Sequence, residues 1–187
     1  LMKKEFEKRI LSSLIIIPVA LFFLIQGSVS FIFFLSILFL ATSYEWIKMI
    51  KKHDFLRILG IIFLFFSFFS SYQFRNIVRF EYFLLIVLIC IFTDIGGYIF
   101  GKLFKGPKLT RISPNKTYAG AFGGFILAVV TSLIYSNYFT SDLVVYSLPF
   151  KFIELTKNAE LTFLIFVLII SLISQIGDLI ISYFKRL

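Results

Sequence analysis

Two aspartates, Asp94 and Asp178, lie inside stretches of sequence that are otherwise apolar. The other carboxylates fall in polar segments or near the ends of apolar runs. An ionised side chain at the centre of a membrane helix costs at least about 2.5–3.5 kcal/mol, and such groups are usually functional or paired. Each aspartate is therefore either a site residue or a buried acid neutralised by a neighbouring lysine or hydroxyl, and the sequence leaves both readings open.

Asp94 belongs to a polar and glycine-rich stripe. On a helix, Asp94, Gly97, Tyr98 and Gly101 share one face, because they are spaced three or four residues apart. Two glycines on the face of the carboxylate allow another backbone to approach closely. We therefore expect this stripe to face protein or a polar cavity rather than lipid.

Asp178 forms a similar stripe with Ser182 and Lys185. Both aspartates lie closer to the C-terminal end of their apolar stretch than to its N-terminal end. This placement favours a single shared site.

The segment Gly101–Gly124 lies between the two aspartates and is rich in basic and small residues. Arg111, Ser113, Lys116 and Thr117 precede a glycine-rich helix start, where backbone N–H groups and basic side chains bind phosphate well. The GxxxxGK[ST] spacing of a P-loop is absent. The glycines have a second reading, because GxxxG spacing is also typical of helix packing.

Carboxylates that hold Mg²⁺ beside basic phosphate-binding groups are the machinery of phosphoryl and nucleotidyl transfer. A transporter for an anionic substrate can use the same parts. From the residues alone, an enzyme acting on a phosphorylated lipid, a transporter and a structural protein all remain open.

Composition indicates the elements that must position these residues. Of 187 residues, 59% are hydrophobic and only 16% are charged, although the net charge is +9. This apolar excess excludes a soluble domain and a disordered chain, and the single cysteine excludes a disulfide scaffold.

Apolar runs long enough to cross a membrane predict an all-α, polytopic protein with six spans. The first run lacks a clean cleavage site and is read as an uncleaved span rather than a signal peptide. The predicted spans are Ile10–Gln26, Ser28–Ile47, Ile58–Tyr72, Tyr82–Phe100, Tyr118–Phe139 and Leu161–Phe184.

The basic residues predict an orientation with both termini in the cytoplasm. In that orientation all of the 19 Lys and Arg residues except Arg75, Arg79, Lys151 and Lys157 are cytoplasmic. Because these charges lie at span ends, they orient the protein and attract anionic lipids, and no nucleic-acid partner is expected. The short chain favours a bacterial inner membrane, with the site facing the cytoplasm.

Two motifs together resemble the phosphatidate cytidylyltransferases, or CDP-diacylglycerol synthases. This family has an Asp-x-x-Ala-Tyr-type segment, then Ser-Pro-x-Lys-Thr-x-x-Gly-x-x-Gly-Gly, and a C-terminal Gly-Asp followed by Ser-x-x-Lys-Arg. The resemblance covers nearly the whole chain, including a basic start and Tyr44-Glu45 at the end of the second span. The matching motif residues are Asp94, Gly97, Tyr98, Ser113, Pro114, Lys116, Thr117, Gly120, Gly123, Gly124, Gly177, Asp178, Ser182, Lys185 and Arg186.

The resemblance implies that CTP and phosphatidate, drawn from the membrane lipids, react to give CDP-diacylglycerol and pyrophosphate. It implies Mg²⁺ on Asp94 and Asp178, and Lys116 as the third catalytic residue. The substrate phosphates would be bound by a further set of residues: Arg111, Ser113, Thr117, Ser182, Lys185 and Arg186. A homodimer is a candidate assembly.

Two departures from the family pattern matter. Tyr118-Ala119 stands where the family usually has Trp-Glu, and the chain stops at Leu187, before the family's Lys-Asp and His-Gly-Gly stretch. We therefore expect residues 1–187 to be one transmembrane cytidylyltransferase-like domain that is truncated at its C-terminus. A catalytically inactive relative and an anion transporter remain the alternatives.

Overall fold

The computed structural model of the protein describes residues 18–50, 53–78, 80–110, 113, 116–139 and 159–186. Within these residues the chain is helical and contains one isolated antiparallel bridge. The helices are α1, with described residues 18–26, α2 (Ser28–Met49), α3 (Asp54–Ile77), α4 (Phe80–Phe104), α5 (Tyr118–Phe139) and α6 (Ala159–Phe184).

The number and length of the described helices confirm the all-α, polytopic architecture. Five described helices, α2 to α6, are long and apolar enough to cross a membrane. Large apolar side chains are exposed along all of them, as expected for helices that face lipid. The chain is therefore an integral membrane protein. Residues 10–17 of the first predicted span lie outside the described residues, and the predicted orientation of the termini stays a prediction.

The helices divide into two compact units, one ending at Ile77 and one beginning at Val78. In the first unit, Gly27 alone separates α1 from α2 and has φ +62, a conformation that favours glycine. The Arg75 guanidinium lies over Gly27 and donates hydrogen bonds to the carbonyls of Leu24 (3.1 Å) and Ile25 (3.4 Å). The arginine thus satisfies the carbonyls that the end of α1 leaves without helical partners.

The second unit consists of α4, α5 and α6, which pack against one another. Its core is a cluster of buried apolar side chains contributed by all three helices. This cluster contains Leu85, Ile89, Ala128, Tyr135, Phe163, Phe166 and Val167. The expectation of a single domain over residues 1–187 stays a prediction.

One buried hydrogen bond connects α4 and α6 in the second unit. Thr93 Oγ1 donates to Ser171 Oγ at 2.8 Å, and both side chains are almost fully buried. We expect Thr93→Val to destabilise the unit by about 0.6 kcal/mol, the average for such bonds between membrane helices, and by at most about 1.7 kcal/mol. Thermal unfolding of Thr93→Val, Ser171→Ala and the double variant gives the coupling energy. Strictly additive effects of the two substitutions would contradict a stabilising hydrogen bond between Thr93 and Ser171.

Candidate active site

A cavity of about 240 Å³ lies in the second unit, between the C-terminal half of α4, the start of α5 and α6. Helix α4 contributes Asp94, and α6 contributes Asp178. The segment between α4 and α5 contributes Lys116 and Thr117. Four of the residues that the sequence predicts as site residues therefore line one cavity, although they are distant along the chain.

Glycines bring α4 and α5 into close contact beside this cavity. A Cβ atom added at Gly120 would lie 2.7 Å from the carbonyl oxygen of Gly97 and 3.3 Å from the Cα of Gly101. One added at Gly124 would lie 2.9 Å from the carbonyl oxygen of Thr93. The sequence left phosphate binding and helix packing open for these glycines, and the geometry gives them a packing role.

A short antiparallel bridge holds the segment between α4 and α5 in place. Lys108 pairs with Thr117, and Leu109 N donates to the carbonyl of Lys116 at 2.8 Å. The backbone of Lys116 also donates to the carbonyl of Ser113 at 3.0 Å. The lysine therefore projects into the cavity from a backbone that is fixed on both sides.

Thr117 caps the start of α5. Its Oγ1 accepts a hydrogen bond from Gly120 N at 3.1 Å, and its carbonyl accepts one from Ala121 N at 3.0 Å. The N–H of Tyr118 donates to the carbonyl of Pro107 at 3.1 Å. The N–H groups of Tyr118 and Gly120, in the first turn, are therefore already used. This differs from the expectation of a helix start whose N–H groups are free for phosphate.

The central contact of the cavity is an ion pair between Lys116 and Asp178. Lys116 Nζ lies 2.9 Å from Asp178 Oδ2, and the two side chains are 30% and 54% exposed. Asp94 lines the same cavity. With both carboxylates ionised, these three residues carry a net negative charge, which favours binding of a cation.

Two lining residues, Gln175 and Tyr98, were not assigned a role from the sequence. Gln175 Nε2 donates to the carbonyl of Ala121 at 3.2 Å and thereby connects α6 to α5. Tyr98 is 65% exposed, and its hydroxyl accepts a hydrogen bond from Lys102 Nζ at 3.4 Å. A polar residue three positions before Asp178 in an apolar helix was the signal for Gln175.

Other residues predicted from the sequence are not part of the cavity lining. Ser113 belongs to the connecting segment, and the Ser182 hydroxyl donates to the carbonyl of Asp178 in its own helix. Lys185 and Arg186 are exposed and follow the last residue of α6. Arg111 lies outside the described residues. The binding roles of these residues stay predictions.

The donor set of the cavity is compatible with Mg²⁺. No group of three His, Cys, Asp or Glu side chains occurs among the described residues, so the cavity offers two carboxylates. Mg²⁺ is commonly held by one or two carboxylates, with water and substrate phosphates completing its shell. The two carboxylates of the cavity, Asp94 and Asp178, therefore fit the number that Mg²⁺ commonly takes from a protein.

Comparison with known proteins gives several bacterial relatives named phosphatidate cytidylyltransferase. A Rickettsia typhi protein is 29% identical over 195 aligned residues, covering 98% of this chain and 78% of the relative. A Staphylococcus epidermidis protein is 36% identical over 107 residues, covering 57% of this chain and 35% of the relative. A Brucella suis protein is 36% identical over 95 residues, covering 50% and 29%.

The chain thus spans about a third of the staphylococcal relative's length and most of the rickettsial relative's. No solved structure matches the chain. The model of the cytidylyltransferase family matches residues 55–187, which include every residue of the cavity described above. The chain belongs to the cytidylyltransferase family.

Proposed function

We propose that this protein transfers the cytidylyl group of CTP to phosphatidate, giving CDP-diacylglycerol and pyrophosphate. The observation that carries the proposal is the convergence of Asp94, Asp178 and Lys116 on one cavity between membrane-spanning helices. Family membership and the names of the relatives support the reaction class.

The reaction needs no side-chain nucleophile. A phosphate oxygen of phosphatidate forms a bond with the α-phosphorus of CTP, and the bond from that phosphorus to the bridging oxygen breaks, releasing pyrophosphate. The protein therefore acts by positioning the two phosphorylated substrates and by offsetting the charge on their phosphates.

The cavity residues divide this work by charge. Lys116 supplies a positive charge for the triphosphate, next to the start of α5, where the helix dipole also favours anions. Asp94 and Asp178 hold Mg²⁺, which when bound neutralises phosphate charge and makes the α-phosphorus more electrophilic. Thr117 keeps Lys116 and α5 in register through its capping hydrogen bond.

The size of the cavity suggests which part of CTP it receives. Its volume of about 240 Å³ is below the roughly 300–1,000 Å³ of pockets that enclose a whole drug-sized ligand. The described part of the site therefore suits the phosphates, with the base and ribose outside it. We propose that the site faces the cytoplasm of a bacterial inner membrane, where CTP is available.

The reaction is tested directly with the purified protein in detergent or vesicles. CTP labelled in its α-phosphate is incubated with phosphatidate and Mg²⁺, and label extracted into organic solvent is measured. We expect lipid-soluble label that requires both phosphatidate and Mg²⁺. Uptake of intact CTP into sealed vesicles without a labelled lipid would instead support the transporter alternative.

A further inference from the structure

We propose that Lys116 and a divalent cation occupy Asp178 alternately. The lysine neutralises the carboxylate until the cation binds, and its ammonium then turns to the phosphates of the nucleotide. This inference rests on the metal and phosphate roles proposed above and adds an order of events, with the cation first. The observation behind it is the contact of 2.9 Å between Lys116 Nζ and Asp178 Oδ2.

The charges of the cavity explain why the lysine rests on Asp178. The cavity is lined by two carboxylates, those of Asp94 and Asp178. Among its described lining residues, Lys116 is the one basic side chain. Two carboxylates near each other repel, so an ammonium on one of them reduces the repulsion. The salt bridge therefore balances part of the negative charge of the two carboxylates while no metal is bound.

A divalent cation competes directly with that ammonium. Mg²⁺ binds carboxylate oxygens at about 2.0–2.1 Å, which would bring it within a few ångströms of a lysine on the same carboxylate. Two cations at such a distance repel, and the divalent ion gains more from Asp94 and Asp178 together than the ammonium gains from Asp178 alone. Lys116 is therefore the group that leaves.

The lysine can leave without any change in the backbone. Its N–H is bonded to the carbonyl of Ser113 and its carbonyl to the N–H of Leu109, so the main chain is held. The four-carbon side chain is flexible and carries a compact charge. Lys116 also directly precedes the capping residue of α5, so its released ammonium remains beside the positive end of that helix.

Binding of Mn²⁺ in the absence of nucleotide, followed by electron paramagnetic resonance on the purified protein, tests the competition. We expect Lys116→Met to bind Mn²⁺ about two- to fivefold more tightly than the wild type, the gain that corresponds to losing one partly exposed ion pair. Lys116→Arg keeps the charge and should resemble the wild type. Lys108→Met is the matched control, because it removes one exposed positive charge nearby without touching Asp178.

Amine labelling followed by mass spectrometry measures release of the lysine in the unmodified protein. We expect the labelling rate of Lys116 to rise when Mn²⁺ is added, and that of Lys108 to stay constant. In Asp178→Asn, Lys116 should label rapidly even without metal, because its carboxylate partner is gone.

The outcomes separate the exchange from the proposed function. If Mn²⁺ binds but Lys116→Met binds it no more tightly, and Lys116 labelling does not respond to Mn²⁺, the exchange is wrong and the metal site stands. If the wild type does not bind Mn²⁺, or Asp94→Asn binds it as well as the wild type, the proposed metal site itself is wrong.

Discussion

Replacing Asp94 or Asp178 by asparagine is expected to reduce formation of the cytidylylated lipid by at least about 10²-fold, the scale on which removal of one charge-stabilising group acts in other enzymes. Both residues line the same cavity, and both are proposed to hold Mg²⁺. Asparagine keeps the shape of the side chain but removes the charge, so the loss reports on electrostatics rather than on packing.

The two variants should differ in a second measurement. Asp178→Asn breaks the ion pair with Lys116, whereas Asp94→Asn leaves it intact. We therefore expect both variants to lose activity, but only Asp178→Asn to raise the amine-labelling rate of Lys116 in the absence of metal. The same extraction of labelled lipid from radioactive CTP measures activity for each variant.

Asp54→Asn is the matched control for the two variants. Asp54 lies in the first turn of α3, is 84% exposed and is paired with Arg57 at 3.0 Å. It is not part of the cavity, so the same acid-to-amide change there should leave turnover close to that of the wild type. Near-normal turnover of Asp94→Asn or Asp178→Asn would contradict the assignment of these carboxylates.

Gly120→Ala is expected to destabilise the second unit, because the added Cβ would lie 2.7 Å from the carbonyl oxygen of Gly97. A backbone oxygen cannot move aside alone, so α4 and α5 must separate. Overpacking of this kind costs about 1–3 kcal/mol. For a chain of this size each kcal/mol lowers the unfolding midpoint by about 2–4 °C, so we expect a fall of about 2–12 °C.

The single cysteine, Cys90 in α4, provides the measurement. A thiol-reactive dye reports its exposure during heating in detergent. Gly177→Ala is the matched control, because a Cβ at Gly177 meets no described atom within 4 Å and alanine favours helix over glycine. We expect the midpoint of Gly177→Ala to be unchanged or higher, and equal midpoints for the two variants would contradict the packing role of Gly120.

Most of the helices could be predicted from the apolar runs alone. The predicted span Tyr118–Phe139 coincides with α5, and the predictions for α2, α4 and α6 are within a few residues. The third predicted span, Ile58–Tyr72, is the exception, because α3 is longer at both ends and extends over Asp54–Ile77. Hydropathy detects only the apolar part, whereas the helix continues through polar residues such as Asp54 and Arg75, whose side chains find partners of their own.

The site was predicted in part. Asp94, Asp178, Lys116 and Thr117 line one cavity, as their residue types and motif suggested. Gln175 was missed because its one signal, a position three residues before Asp178 on the same helix face, does not by itself indicate a role. The glycines before and after the loop could not be assigned from sequence, since a close helix contact and a phosphate cradle require the same absence of a side chain.

The sequence by itself determined that the chain crosses a membrane as helices and which few charges lie within them, because the hydrophobic length of a helix and the cost of an intramembrane charge are local properties. Only the tertiary structure decided that Lys116 contacts Asp178, 62 residues further along the chain, and that Thr117 uses its hydroxyl as a helix cap. Such contacts depend on how closely and in what register α4, α5 and α6 pack. That register is set by glycines, buried hydroxyls and core side chains acting together, which no single stretch of sequence contains.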